Sequence, residues 1–138
     1  MLTEARRRID GDLGLTNKST RLELVRLDVA NIPMQSNSVN ALHAGAAMHC
    51  WPEVEKGLSE IYRILQPGGR FFTSTFLSNY FSTVQRTENA QSGVNQQAFQ
   101  YFESASQLKD MMIAAGFEED KVSVEVLGAA CVIIKCEK

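Results

Sequence analysis

Asp28 and His49 are the side chains whose settings are best suited to chemistry, and a run of small residues, Ala44-Gly45-Ala46-Ala47, lies between them. Asp28 closes the stretch Leu24-Val25-Arg26-Leu27, where its carboxylate can accept a hydrogen bond from an amine or open a turn. The small run can let a ligand approach the backbone closely, or let a helix pack tightly on a strand. His49 titrates near neutrality in an ordinary setting and could act as a base. Nothing near it in the sequence completes an acid–base pair, so a satisfied structural histidine is equally open. His43, inside an apolar segment, reads as structural, and Trp51 as a packing residue. Cys50, Cys131 and Cys136 show no Cys-x-x-Cys spacing. Neither a disulfide framework nor a metal site is expected, and a reducing compartment fits best.

The elements that must hold these residues can be read from periodicity. Thr3 to Ile9 reads as the last turns of a helix, broken by Gly11 and Gly14. Arg21 to Val29 alternates in the manner of a strand and gives way after Asp28 to a loop containing Pro33. Val39 to Ala47, small and nearly uncharged, fits a buried parallel strand running into a loop. Pro52 suits a first helical turn, and Val54, Leu58, Ile61, Tyr62 and Leu65 then share one helical face. Pro67-Gly68-Gly69 stops that helix, and Arg70 to Leu77 has the composition of a strand. Ser78 to Tyr101, rich in Gln, Asn and Ser, reads as an insertion or lid over 78–101. Ser104 and Gln107 form a capping box before the apolar stripe Leu108, Met111, Met112 and Ala115, which ends at Gly116. Lys121 to Leu127 and Ala130 to Lys135 predict a terminal antiparallel hairpin about Gly128. Helices alternating with strands in this way define an α/β class with a mixed sheet edge.

Composition narrows the function classes. The chain is 44% hydrophobic and 22% charged, with a formal net charge of −2 and no apolar run long enough to span a bilayer. That charge gives no long-range attraction for phosphate backbones, so no nucleic-acid partner is expected, and Arg6 to Arg8 read as a solvated helix face. Met1 to Asp10 lacks the apolar stretch of an export signal, which points to an intracellular protein.

Three stretches taken together resemble class I S-adenosylmethionine-dependent methyltransferases, of the ubiquinone/menaquinone-biosynthesis type and the related plastid enzymes of plants and algae. They are Leu24 to Pro33 (LVRLDVANIP), Val39 to Trp51 (VNALHAGAAMHCW) and Ile64 to Phe71 (ILQPGGRF), in that order. The resemblance covers residues 1 to about 76 well and the terminal helix and hairpin loosely. It implies the carboxyl-terminal half of a Rossmann-like sheet, with S-adenosylmethionine as cofactor in the complete enzyme. It places Asp28 as acceptor for the exocyclic amine of adenine and Val29 as main-chain donor to the neighbouring ring nitrogen. Ala44, Gly45 and Ala46 would pass close to the methionine part of the cofactor. His49 would border the adenosine and the substrate cavity, as a partner for a polar substrate group or a base. A small or lipid-like acceptor is implied, in plastid or cytoplasm.

The sequence departs from that family in one large respect. No Gly-x-Gly-x-Gly loop follows a first strand, and no acidic residue ends a second strand to hold the ribose hydroxyls. Gly11-Asp12-Leu13-Gly14 does not replace the loop, because it follows a helix. Residues 1–138 therefore read as a partial domain, with Met1 an internal methionine and the isolated chain inactive. Two other classes stay open: a non-catalytic binding or assembly module that has lost the cofactor, and a fragment of a nucleotide-binding oxidoreductase, which would also need a Gly-rich loop. In the family, first and second strands lie between the third and fourth. Their absence leaves the Val39 to Ala47 strand with an open edge, which the Arg21 to Val29 strand could slide across to fill or a second copy could cover; a homodimer or larger assembly whose contact includes residues between Arg21 and Ala47 is expected.

Overall fold

The computed structural model of the protein describes residues 2–11, 22–78, 100 and 102–138. A four-stranded sheet has the order β1-β2-β4-β3, where β1 is Val39–Ala44, β2 Leu65–Phe76, β3 Val122–Leu127 and β4 Cys131–Glu137. β1 runs parallel to β2, and the two β4 pairings are antiparallel. Among the described residues the α-helices are α1 (Leu2–Asp10), α2 (Val54–Ile64) and α3 (Ala105–Ala114).

The period-2 pattern of β2 divides the sheet into two faces. Phe71, Thr73 and Thr75 are buried, whereas Arg70 and Phe72 on the opposite face are exposed. Register carries the buried face across the sheet, with Leu42, Phe71, Cys136 and Val122 in one row and Ala44, Thr73, Ile134 and Val124 in the next. The core joins these rows to Leu58 and Ile61 of α2, to Leu108 and Met112 of α3, and to Phe117. Burial pushes the Cys136 thiol up to about 12, so it packs as an apolar group. On the opposite face the His43 ring lies against Phe72, with ring centroids 5.3 Å apart.

The helices and the terminal hairpin follow the periodicity closely. The Ser104 cap of α3 is present, since its hydroxyl accepts from the Gln107 N–H at 3.1 Å, while Gln107 Oε1 reaches one residue further back and accepts from the Glu103 N–H at 2.7 Å. Gly128, at φ 62°, turns the hairpin.

Four expectations need correction. The strand expected over Arg21 to Val29 does not form: residues 22–27 carry no ladder, and Asp28 makes only an isolated bridge with Asn31. A strand is completed by a neighbour's backbone, and none of the described residues supplies one. The strand expected over Val39 to Ala47 ends at Ala44, because Gly45 and Ala46 turn the chain, with Ala46 at φ 49°. Helix α2 begins at Val54, two residues after Pro52. Finally, Pro67-Gly68-Gly69 lies inside β2, which starts directly after α2, and pairing with β1 slips there from Val39–Leu65 to Ala41–Arg70. Gly68 adopts φ 76°, and a Cβ on Gly69 would lie 2.8 Å from the Gln66 carbonyl oxygen. One glycine supplies a backbone conformation and the other supplies room.

Most of the 78–101 stretch, residues 79–99 and 101, lies outside the described residues. Its base is described: the Ser78 N–H donates to the Phe102 carbonyl at 2.8 Å, and the Gln100 N–H to the His49 carbonyl at 2.7 Å.

Candidate functional site around the β1–α2 connection

The chain leaving β1 at Ala44 reaches α2 through Gly45, Ala46, a 3-10 turn at Met48–Cys50 and then Trp51. Met48, fully buried, anchors this connection in the core. The Ala44 carbonyl accepts from Thr73 Oγ1 at 2.7 Å, and the Ala46 N–H donates to Ser74 Oγ at 2.9 Å. Two adjacent hydroxyls of β2 thus pin both sides of the turn. Gly45 is exposed, and a Cβ there would meet the His43 ring at 3.1 Å. His43 therefore packs beside the turn on the open face of the sheet.

His49 is 7% exposed, with Nδ1 3.3 Å from Thr75 Oγ1 and its ring edge-on to Phe76 at 5.4 Å between centroids. Burial lowers its pKa from the ordinary 6.5, which favours the neutral imidazole. Its main chain also ties down Gln100, at the far end of the 78–101 stretch.

Asp28 is exposed and does open a turn: Oδ1 accepts from the Ala30 N–H at 2.9 Å, and its carbonyl accepts from the Asn31 N–H at 3.1 Å. That use occupies one carboxylate oxygen. Among the described residues Oδ2 has no hydrogen-bond partner, and neither has the Val29 N–H. Val29 is half-buried against the core. A Cβ on Gly57 would sit 3.4 Å from Val29 Cγ1 and 3.0 Å from Trp51 Cε3. The bare backbone of Gly57 therefore leaves room for both Val29 and Trp51 to pack over the first turns of α2. Lys56 stands beside them; its ammonium is held above its ordinary pKa chiefly by Glu53, with a smaller contribution from the charge of Asp28.

Asp28 and Val29 are thus joined to the β1–α2 connection through Trp51 and Gly57. No hydrogen bond links them to Ala44, Gly45, Ala46 or His49 among the described residues. Nor do the described residues include a cluster of three or more His, Cys, Asp or Glu able to hold a metal.

Ser74, Thr75, Glu60 and Arg63 were not among the residues the sequence singled out. The hydroxyls could be matched to Ala46 and His49 only once the register of β2 against β1 is known. Glu60-x-x-Arg63 is visible as an i,i+3 charge pair, a pattern that ordinarily marks a solvated helix surface. Here Glu60 Oε2 also accepts from the Ile32 N–H at 2.8 Å. Arg63 donates to the carbonyls of Ile32 and Met34 at 2.9 and 2.8 Å.

Residues 1–73 match the family described as methyltransferase domain. The chain is 36% identical over 118 residues to an uncharacterized chloroplastic methyltransferase of Arabidopsis thaliana, covering 84% of this chain and 33% of that protein. It is 38% identical over 55 residues to a ubiquinone/menaquinone biosynthesis C-methyltransferase of Brucella canis, covering 40% of this chain and 20% of that one. An S-adenosylmethionine-dependent methyltransferase structure from Methanosarcina mazei superposes with a TM-score of 0.72 at 14% identity, over 97% of this chain and 75% of that one, a likeness of fold. The chain belongs to the class I S-adenosylmethionine-dependent methyltransferases, and its sheet is part of their Rossmann-like fold. It spans about a third of the length of the first of these relatives.

Proposed function

We propose that this chain is the carboxyl-terminal half of an enzyme that transfers a methyl group from S-adenosylmethionine to a small or lipid-like acceptor. The observation that carries the reading is the turn at Asp28. The second carboxylate oxygen of the exposed Asp28 and the main-chain N–H of the next residue belong to one turn, both without a partner among the described residues. An acceptor beside a donor is the complement of the amine and ring nitrogen on one edge of adenine. The residues present fit that end of the cofactor alone. The Gly-x-Gly-x-Gly loop is not in this sequence, and we assign it to a segment of the longer enzyme.

When bound, S-adenosylmethionine supplies a methyl group already activated by the positive charge on its sulfur. Asp28 and Val29 hold the adenine edge, and the Ala44–Gly45–Ala46 turn lets the ligand approach the backbone. His49, neutral and buried at the same connection, orients a polar group of the acceptor or takes its proton. Positioning and exclusion of water do most of the catalytic work, and a base is needed only for a weakly acidic acceptor. The chloroplastic relative supports a plastid location. No described helix is long and apolar enough to cross a membrane.

The direct test is Asp28→Ala in the chain extended upstream. Loss of a charged hydrogen-bond partner costs roughly 1.5–3 kcal/mol, so calorimetry should show S-adenosylhomocysteine binding about 10- to 100-fold weaker. Unchanged affinity would remove the adenine role.

The open edge of β1 favours a second reading. This strand pairs only with β2 among the described residues. We propose that the isolated chain covers that edge with a second copy and persists as a non-catalytic assembly module.

A further inference from the structure

Among the described residues no strand pairs with residues 22–27, so in this chain no described ladder holds the turn at Asp28–Val29 from its amino-terminal side. Its carboxyl-terminal side is held differently. Ile32 is 6% exposed, and both of its main-chain groups are bound by α2: the N–H by Glu60 Oε2 at 2.8 Å and the carbonyl by Arg63 Nη2 at 2.9 Å. Arg63 Nη1 reaches on to the Met34 carbonyl at 2.8 Å and Ser36 Oγ at 3.2 Å. The guanidinium and carboxylate also bind one another twice, at 2.7 and 2.8 Å. The α2 backbone completes the seam, with the Arg63 carbonyl accepting from the Asn37 N–H at 3.0 Å and the Ile64 carbonyl from the Ser38 N–H at 2.8 Å.

A pair of the same spacing on α1 shows what is unusual here. Glu4 and Arg7 bind each other at 2.7 Å, with side chains 46% and 73% exposed and no tertiary partner for either among the described residues. Exposed pairs of that kind contribute little. Glu60 and Arg63 are 21% and 35% exposed, and each spends further donors or acceptors on the backbone of a distant loop. A planar fork binding a carboxylate and two carbonyls together fixes both distance and angle, which a lysine cannot do.

We propose that Glu60 and Arg63 are positioning residues for the cofactor's adenine, acting by clamping the Asp28–Val29 turn through Ile32 and Met34 without touching the ligand. The clamp fixes the side of the turn where the chain continues, and Val29 against Gly57 supplies the other fixed point. This assignment rests on the adenine reading given above.

Amide hydrogen exchange on this 138-residue chain tests the clamp without any cofactor. In Glu60→Gln and in Arg63→Lys, peptides spanning 28–36 should exchange about tenfold faster while peptides of β2 and β4 keep their rates. Arg63→Lys keeps the charge and the helix, so it remains informative even where Glu60→Gln perturbs folding. Unchanged exchange over 28–36, or an increase shared equally by β2 and β4, would overturn the clamp, since the pair would then be a surface ornament or a general stabiliser. The two readings fail separately. Unchanged S-adenosylhomocysteine affinity in Asp28→Ala would remove the adenine role, whereas local loosening in the clamp variants is read from exchange alone.

Discussion

At the scale of single residues, Asp28 was legible in the sequence, because a carboxylate at the end of an alternating run signals a turn whatever else it does. The structure shows that turn and leaves a second oxygen over, so the turn and the ligand readings are compatible. His49 was legible only as a candidate. Its partner Thr75 lies on another element, and burial, which sets its protonation, is a property of the folded chain. The sign of its effect follows from linkage. Its folded pKa lies below the unfolded value of 6.5, so the unfolded state takes up the proton first as pH falls. Stability is fully present above pH 6.5 and declines below it. Replacing His49 with Gln should flatten the decline of melting temperature just under pH 6.5. Glu60 acts in the same direction at lower pH: its carboxyl is held down to about 2, chiefly by Arg63 and then by the Ile32 N–H, against an ordinary 4.5. Its contribution is present above pH 4.5 and is lost as pH falls toward 2. In the extended enzyme, His49→Ala should lower turnover by about a hundredfold with little change in cofactor affinity. Equal small losses in both, with a lower melting temperature, would make His49 structural.

At the scale of elements, periodicity placed what local sequence controls. The apolar stripe of α2, the Ser104 cap of α3 and the alternation of β3 and β4 each depend on side chains close together in the chain, and each element formed near its expected bounds. Residues 22–27 failed as a strand because pairing is a long-range condition, however strand-like the alternation. Pro67-Gly68-Gly69 was read as a helix stop, but its glycines serve the passage of β2 beside β1. Gly69→Ala would place a methyl against the carbonyl oxygens of Gln66, Asn40 and Val39, at 2.8, 3.2 and 3.2 Å. We expect it to cost about 1–3 kcal/mol in denaturant unfolding, as overpacking typically does. An unchanged midpoint would show that the strand shifts freely there, and the account of the irregular register would need revision.

At the scale of the whole molecule, the order β1-β2-β4-β3 places the parallel pair on one side and the antiparallel hairpin on the other, with β1 and β3 as edges. The order of the motifs made the fold class legible. What completes the cofactor site was not, because the chain spans 33% of its Arabidopsis relative and contains no Gly-x-Gly-x-Gly loop. We propose that this chain holds the adenine end of an S-adenosylmethionine site and that the Gly-x-Gly-x-Gly loop of a longer enzyme is needed to bind the whole cofactor. The most direct measurement is a calorimetric titration of S-adenosylhomocysteine into this chain and into the chain extended upstream, with light scattering on the same samples. The extended protein should bind with micromolar affinity, about −8 kcal/mol, and the chain alone should show negligible affinity with a dimeric mass. A monomeric 138-residue chain that binds the ligand tightly by itself, or an extended protein that does not bind it, would rule out a divided cofactor site.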